Sequence, residues 1–137
     1  MDTDGTVGTN GEGIEFYSTS LKLANNVRFL VMSLGGKATL STREKTGYTN
    51  GNGEKLFGQP CHRVYIRLPL SICPFRLTRK ANRFLGAKNK RPITRFIESI
   101  ERVGSEEVQC IFVDSPLHTY ITDDFIVTHN TLLAKAM

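Results

Sequence analysis

Cysteine is scarce in this sequence: Cys61, Cys73 and Cys110 make three, an odd number at irregular spacing, which argues against a disulfide framework. Cys61, His62 and Cys73 match no usual zinc spacing and have no fourth ligand nearby, which argues against a metal there as well. Tryptophan is absent, and nothing follows from that. No apolar run approaches the roughly 20 residues that span a bilayer, and no signal-peptide pattern opens the chain. A soluble, cytoplasmic protein without a membrane partner is the expectation. What is there is a normal globular balance, 39% apolar and 23% charged, and not a disordered one. The 137 residues suit one ordinary domain or two small pieces. A net charge of +5 permits a nucleic-acid partner without demanding one.

Along the chain, Thr6-Val7, a Gly/Asn-rich turn from Gly8 to Gly13, and Ile14-Glu-Phe16 read as a β-hairpin. Ser18-Thr-Ser20 offers helix caps. From Leu21, Leu23, Ala24, Val27, Leu30, Val31 and Leu34 recur at helical spacing until Gly35-Gly36 stops the helix. Lys37 to Ser41 is extended, Gly47 to Gly53 is a loop, and Arg63 to Leu68 is a strand with Val64, Ile66 and Leu68 on one face. Arg63, Tyr65 and Arg67 share its other face. The order is therefore strand, strand, helix, strand, strand. Pro69 to Pro92 is basic and turn-rich and reads as a linker. Ile93–Val103 and Val108–Val113 read as strands, Thr119–Ile121 as short and extended, Asp123-Asp124 as a turn, and Phe125–Thr128 as the last strand. Leu132 to Met137 are helix formers. There is no internal repeat.

The end of the chain carries a specific chemistry: Cys110-Ile-Phe-Val-Asp114, His118, then Thr128-His-Asn-Thr131. The Asn130 side-chain amide nitrogen can attack its own backbone carbonyl, closing a succinimide and expelling the amine of Thr131. That reaction is slow in a free peptide. His129 is placed to polarise the carbonyl or protonate the leaving nitrogen, and a positioned acid or base gives about 10²–10⁴-fold. The Thr131 hydroxyl can accept an acyl group once a base activates it.

VQCIFVDSPLHTYITDDFIVTHNT resembles the C-terminal splicing blocks of inteins along its whole length. That resemblance implies an all-β splicing (Hint) domain whose last strands are here, and autocatalytic cleavage at Asn130–Thr131 without a cofactor. Met1-Asp-Thr-Asp-Gly-Thr-Val7 is similar to the tail of a LAGLIDADG homing-endonuclease motif, and the following EFYSTSLKLANNVRFLVMSLGG to the segment after such a motif in intein-borne endonucleases. The strand-strand-helix-strand-strand order fits half of that α+β fold. The resemblance implies a metal-binding role for Asp4, with Mg²⁺ the metal of a complete endonuclease, and double-stranded DNA as a partner. Thr131-Leu-Leu-Ala-Lys-Ala-Met137 resembles the helix after Gly-Lys in a P-loop ATPase of the AAA type. On that reading the intein interrupts a Walker A motif between its lysine and its threonine.

Several residues keep two readings. Cys110 is either a small buried hydrophobe or, by resemblance to one intein class, a nucleophile, with Thr128 the threonine before the histidine in that class. Asp114 and His118 form either a hydrogen-bonded pair orienting the junction or a loop cap with a half-exposed histidine. Arg63, Tyr65 and Arg67 form either a solvated face or the face with which this endonuclease fold reads the major groove. The basic run from Arg76 to Arg91 suits phosphate contacts without base specificity. The organisation expected is a partial LAGLIDADG domain over 1–70, a basic connection and first Hint strand over 71–104, splicing blocks over 105–130, and a host stub over 131–137. Such a chain is a gene fragment or the C-terminal partner of a split intein. Its missing half, in cis or in trans, is an N-terminal intein segment. Without it no DNA cutting is expected. The rival reading is a DNA-binding or DNA-cutting endonuclease remnant with a vestigial splicing tail.

Overall fold

The computed structural model describes residues 1–45, 47–86, 92–105, 107, 109 and 111–129, and divides the chain into two compact units, Met1–Ile93 and Thr94–Met137. The first unit is a four-stranded antiparallel sheet covered on one face by helices. Strands β1 (Gly5–Val7), β2 (Ile14–Ser18), β3 (Lys37–Arg43) and β6 (Cys61–Arg67) lie in the order β1-β2-β6-β3. The hairpin expected at the start is present, and Gly11 (φ 77°) and Gly13 (φ 70°) supply the left-handed backbone that its turn requires.

Helix α1 (Leu21–Ser33) begins where Ser20 Oγ accepts the Leu23 N–H at 3.3 Å. It ends in a Schellman motif: the Gly36 N–H bonds the Val31 carbonyl at 2.9 Å and the Gly35 N–H bonds Met32 at 3.0 Å, with Gly35 at φ 75°. Gly36 serves a second purpose, since a Cβ there would stand 2.7 Å from the Arg67 carbonyl oxygen. The chain thus leaves the helix hard against β6. Alternation in β6 buries His62, Val64 and Ile66, the last two at 0% and 1% exposure, and turns Arg63 and Tyr65 outward. Val7, Ile14, Phe16, Ala24, Val31, Val64, Ile66, Phe75 and Phe84 form one apolar cluster beneath the helices. At its edge Thr42 Oγ1 and His62 Nδ1 pair at 2.9 Å, which satisfies the buried histidine.

Four expectations change. The Gly47–Gly53 loop is a hairpin of β4 (Gly47–Thr49) and β5 (Lys55–Phe57). Asn50 builds its turn, accepting the Asn52 and Glu54 N–H groups at 3.0 and 2.9 Å on one side-chain oxygen, while Gly53 takes φ 83°. The basic stretch read as a linker carries helix α2 (Thr78–Leu85), fixed to β1 because Phe75, Lys80 and Phe84 are buried. Ile93–Val103 is not a strand. Phe96, Ile97, Ile100 and Val103 are 80–87% exposed, and alternation alone makes no strand where no partner pairs with it among the described residues. The described residues of Val108–Val113 are likewise outside any strand.

The second unit contains β7 (Thr119–Ile121) and β8 (Val127–His129), paired antiparallel with Thr119 opposite His129 and Tyr120 opposite Thr128. A 3-10 turn, Asp123–Phe125, joins them where a turn was expected, with Asp124 and Phe125 at φ 57° and 56°. The Thr122 N–H and hydroxyl both reach the Ile126 carbonyl, and Arg95 Nη2 bonds the Asp124 carbonyl at 2.7 Å. The expected C-terminal helix lies outside the described residues. No helix among the described residues is long and apolar enough to cross a membrane.

Candidate functional site

The sheet of the first unit has one face under helices and one face outward. Register determines which side chains share the outward face, because directly paired residues of antiparallel strands point the same way. Glu15 on β2 pairs with Tyr65 on β6, which pairs with Thr39 on β3. Tyr17 pairs with Arg63, and Arg63 with Ser41, while Arg67 pairs with Lys37. Arg43 pairs with Cys61 on the same face, so the three residues singled out on β6 stand in a row along the middle of a face bearing four cations, Lys37, Arg43, Arg63 and Arg67. Arg63 Nη1 is 3.6 Å from Glu15 Oε1, and the Tyr17 hydroxyl donates to Glu15 Oε2. That hydrogen bond to the carboxylate, with burial and the carboxylate charge behind it, raises the Tyr17 pKa above the ordinary tyrosine value. Glu15 and Tyr17 were not singled out in the sequence, although alternation with buried Ile14 and Phe16 places both on this face.

At the other candidate position, the loop Met1–Gly5 is tied down from α2. The Asp2 carboxylate accepts the N–H groups of Leu77 (3.1 Å) and Arg76 (3.1 and 3.2 Å), the two residues just before that helix. The Leu77 N–H, aided by that of Arg76 against a counter-push from burial, holds the Asp2 carboxyl below the usual carboxylate range. Lys80 Nζ donates to the carbonyls of Asp2 (2.7 Å) and Gly5 (2.5 Å), and its side chain is 8% exposed. The expectation for this acidic terminus was a metal-binding role for Asp4. No local pattern reveals a lysine bonding residues 75 to 78 positions earlier. Asp4 itself is exposed, accepts the Thr3 hydroxyl at 3.2 Å, and has its backbone carbonyl bonded by the Tyr17 N–H.

A family model described as a LAGLIDADG-like domain matches residues 1–101. The chain belongs to the LAGLIDADG-like domain family. It is also 32% identical, over 139 aligned positions, to a protein named replicative DNA helicase DnaB from Mycobacterium intracellulare. The alignment covers 97% of this chain and 22% of the helicase, so the chain spans about a fifth of that relative's length. No solved structure matches.

Homing endonucleases of the LAGLIDADG type, as the sequence resemblance has it, hold metal on the last acidic residue of the motif. Asp4 offers one carboxylate, and no group of three or more His, Cys, Asp or Glu side chains that would hold a metal occurs among the described residues. These residues do not by themselves fit a Mg²⁺ site, and no step here is derived through one. The matched region ends before the residues expected to splice. Of those, Cys110, Asn130 and Thr131 lie outside the described residues. Thr128 is half-buried and His129 exposed on β8. Asp114 is exposed, and His118, at φ 47°, places Nδ1 3.0 Å from the Val113 carbonyl oxygen and its ring 5.9 Å from that of Phe112. No hydrogen bond joins Asp114 to His118 among the described residues, so the histidine closes its own loop.

Proposed function

We propose that this chain is the C-terminal portion of an intein: a LAGLIDADG-like unit followed by the last strands of a Hint splicing domain, acting at Asn130–Thr131. The observation that carries the reading is the closing hairpin. Its register sets His129 opposite Thr119, and in the sequence His129 is followed by an Asn-Thr bond whose asparagine can cyclise. The helicase relative supports it. A LAGLIDADG-like stretch within a protein named for another activity is the arrangement an inserted splicing element produces. The host is a P-loop ATPase of the AAA type, read from Thr131–Met137, and the partner is the N-terminal intein half, in cis or in trans. The residues assigned to splicing are Asn130 as cyclising nucleophile, His129 as acid or base, and Thr131 as acyl acceptor. Thr128, Asp114 and His118 support the junction, with Cys110 the nucleophile if the intein is of the class it resembles. Mixing with a matching N-terminal half should yield a ligated host product by mass spectrometry.

The exposed strands of the second unit explain why a partner is needed. Ile121 and Val127 face solvent at 64% and 66%, and both edges of a two-stranded sheet are open among the described residues. Such a hairpin is marginal until further strands cover it.

The LAGLIDADG-like unit is proposed to bind double-stranded DNA through the outward face. Arg63 and Arg67 are four residues apart, roughly 13 Å along a strand, which matches the reach of a β-ribbon laid in a major groove about 12 Å wide. Binding should weaken steeply with salt, and removal of Arg67 or Lys37 should each reduce the log–log salt slope by about 1. Fluorescence anisotropy with a 30-base-pair duplex reads this, and a slope unchanged in both variants would contradict it. The second reading, an endonuclease remnant with a vestigial splicing tail, is favoured by the family match to residues 1–101. It predicts DNA binding without ligation under any N-terminal partner.

A further inference from the structure

The outward face contains a feature that a plain phosphate-binding surface would not keep: a carboxylate at its centre. Among the described residues of β1, β2, β3 and β6, Glu15 is the single acid on that face, with Arg63 and Arg67 its diagonal neighbours on β6 and Lys37 and Arg43 farther off on β3. An acid there repels the DNA backbone. Nor is it explained by stability. Glu15 and Arg63 are 26% and 45% exposed at 3.6 Å, and an exposed pair of that kind contributes little to folding.

Its surroundings are specific nonetheless. Tyr17, two residues along β2 and directly opposite Arg63, donates its hydroxyl to Oε2, while Oε1 lies 3.6 Å from Arg63 Nη1. Arg63 is the diagonal neighbour of Glu15 across the β2–β6 pair, within reach for two long side chains. The result is a donor fork and an acceptor oxygen held side by side on a solvent-facing sheet. In the major groove a G·C pair presents the complement of that arrangement: acceptors O6 and N7 on guanine, and next to them the N4 amino donor on cytosine. Arginine bonds the first bidentately and a carboxylate accepts from the second.

We propose that Glu15, held by Tyr17 beside Arg63, is a specificity-determining residue that with Arg63 reads one G·C base pair. This rests on the outward face being the DNA-binding face. Arg63 supplies the bonds to guanine and Glu15 the bond to cytosine. At a site with the pair reversed or with A·T, the carboxylate meets an acceptor or finds no amino group in reach, and its charge acts against binding. Glu15 thus lowers affinity for random DNA and raises discrimination, and Tyr17 holds the oxygen where the cytosine amino group arrives.

The test uses the full chain and a duplex library randomised over 12 base pairs, with binding selection followed by sequencing, and anisotropy on the unselected library. Wild type should enrich G·C at one position. Glu15→Gln should bind the unselected library roughly two- to fivefold tighter, the range expected from freeing an exposed arginine from its ion pair. It should also lose about fivefold or more of the discrimination at the enriched position. Tyr17→Phe, which leaves the charge unchanged, should lose part of that discrimination without gaining affinity for the library. Equal affinity and the same enriched base in Glu15→Gln and wild type would overturn the proposal, as would a wild type that enriches no G·C. Arg63→Ala separates the two levels. If it weakens binding while Glu15→Gln changes nothing, the DNA-binding face stands and the role of Glu15 falls. If wild type binds no duplex, both fall.

Discussion

Lys80→Met should destabilise the Met1–Ile93 unit by about 1–3 kcal/mol, the cost of leaving a buried polar group without its partner. Methionine nearly preserves the volume, so the packing against Phe75, whose ring centroid lies 5.7 Å from Nζ, changes little. What is lost is the donor shared by the carbonyls of Asp2 and Gly5. Two effects oppose each other. Removing a buried ammonium relieves its desolvation, which is stabilising. Removing two charge-assisted hydrogen bonds, and orphaning a Gly5 carbonyl in a buried position, is destabilising. The second wins because the Gly5 carbonyl is buried and the Asp2 carbonyl half-buried, so solvent replaces the lost donor poorly. Urea unfolding should show a lower midpoint with an unchanged slope. Hydrogen exchange should show the amides of residues 2–5 losing protection first. A midpoint equal to or above wild type would show that desolvation dominates. Asp2→Ala should destabilise through the same loop–helix junction, and the double variant should fall short of the sum, since both substitutions open the same contact. The position of Asp4 depends on this junction: it lies between the two carbonyls that Lys80 holds.

The parts of the fold that were legible are those where pattern and punctuation agree. Ser20, the apolar spacing from Leu23 to Val31, and Gly35-Gly36 specify α1 without help from the rest of the chain. Ile14 to Phe16 and Arg63 to Leu68 read as strands, and they fall in the central strands β2 and β6, the latter ending at Arg67. Helix α2 was not legible. Its sequence is basic, its apolar contribution is mainly Phe84, and the carboxylate that holds the residues leading into it comes from Asp2, far away in sequence. The β4–β5 hairpin was hidden by its glycines and asparagines, which read as a loop until Asn50 is seen to organise the turn. Ile93–Val103 shows the opposite error: its alternation is genuine, but a strand is a property of a pair.

The candidate sites divide in the same way. The row Arg63, Tyr65, Arg67 follows from period two alone, whereas its acidic neighbour Glu15 acquires meaning only from the register that sets it diagonal to Arg63. Asp4 was found by resemblance, and the lysine that holds its loop by geometry. For the junction, local chemistry carries the argument, and the hairpin adds that His129 stands at the end of a paired strand.

Asn130→Ala should abolish cleavage at the bond before Thr131 when the chain is combined with its N-terminal half, and this is the largest effect expected. On the proposed mechanism the Asn130 side-chain nitrogen forms a bond to the Asn130 backbone carbonyl carbon, the Asn130–Thr131 peptide bond breaks, and a proton ends on the departing Thr131 amine. Alanine has no nitrogen to offer, so no ring can close and the bond remains. His129→Ala should leave the site of scission unchanged and slow it by about 10²–10⁴-fold, since it removes a positioned acid or base and spares the nucleophile. Thr131→Ala should leave scission at Asn130 intact and stop ligation, because no hydroxyl remains to receive the upstream acyl group. The three variants therefore differ in kind as well as degree. Intact mass spectrometry distinguishes them: no released Thr-Leu-Leu-Ala-Lys-Ala-Met peptide, the same peptide appearing late, or an alanine-led peptide without ligated product. If the Asn130→Ala chain still releases the peptide beginning at Thr131, cyclisation is not the chemistry at this bond, and the histidine at the end of β8 would then have to serve another reaction.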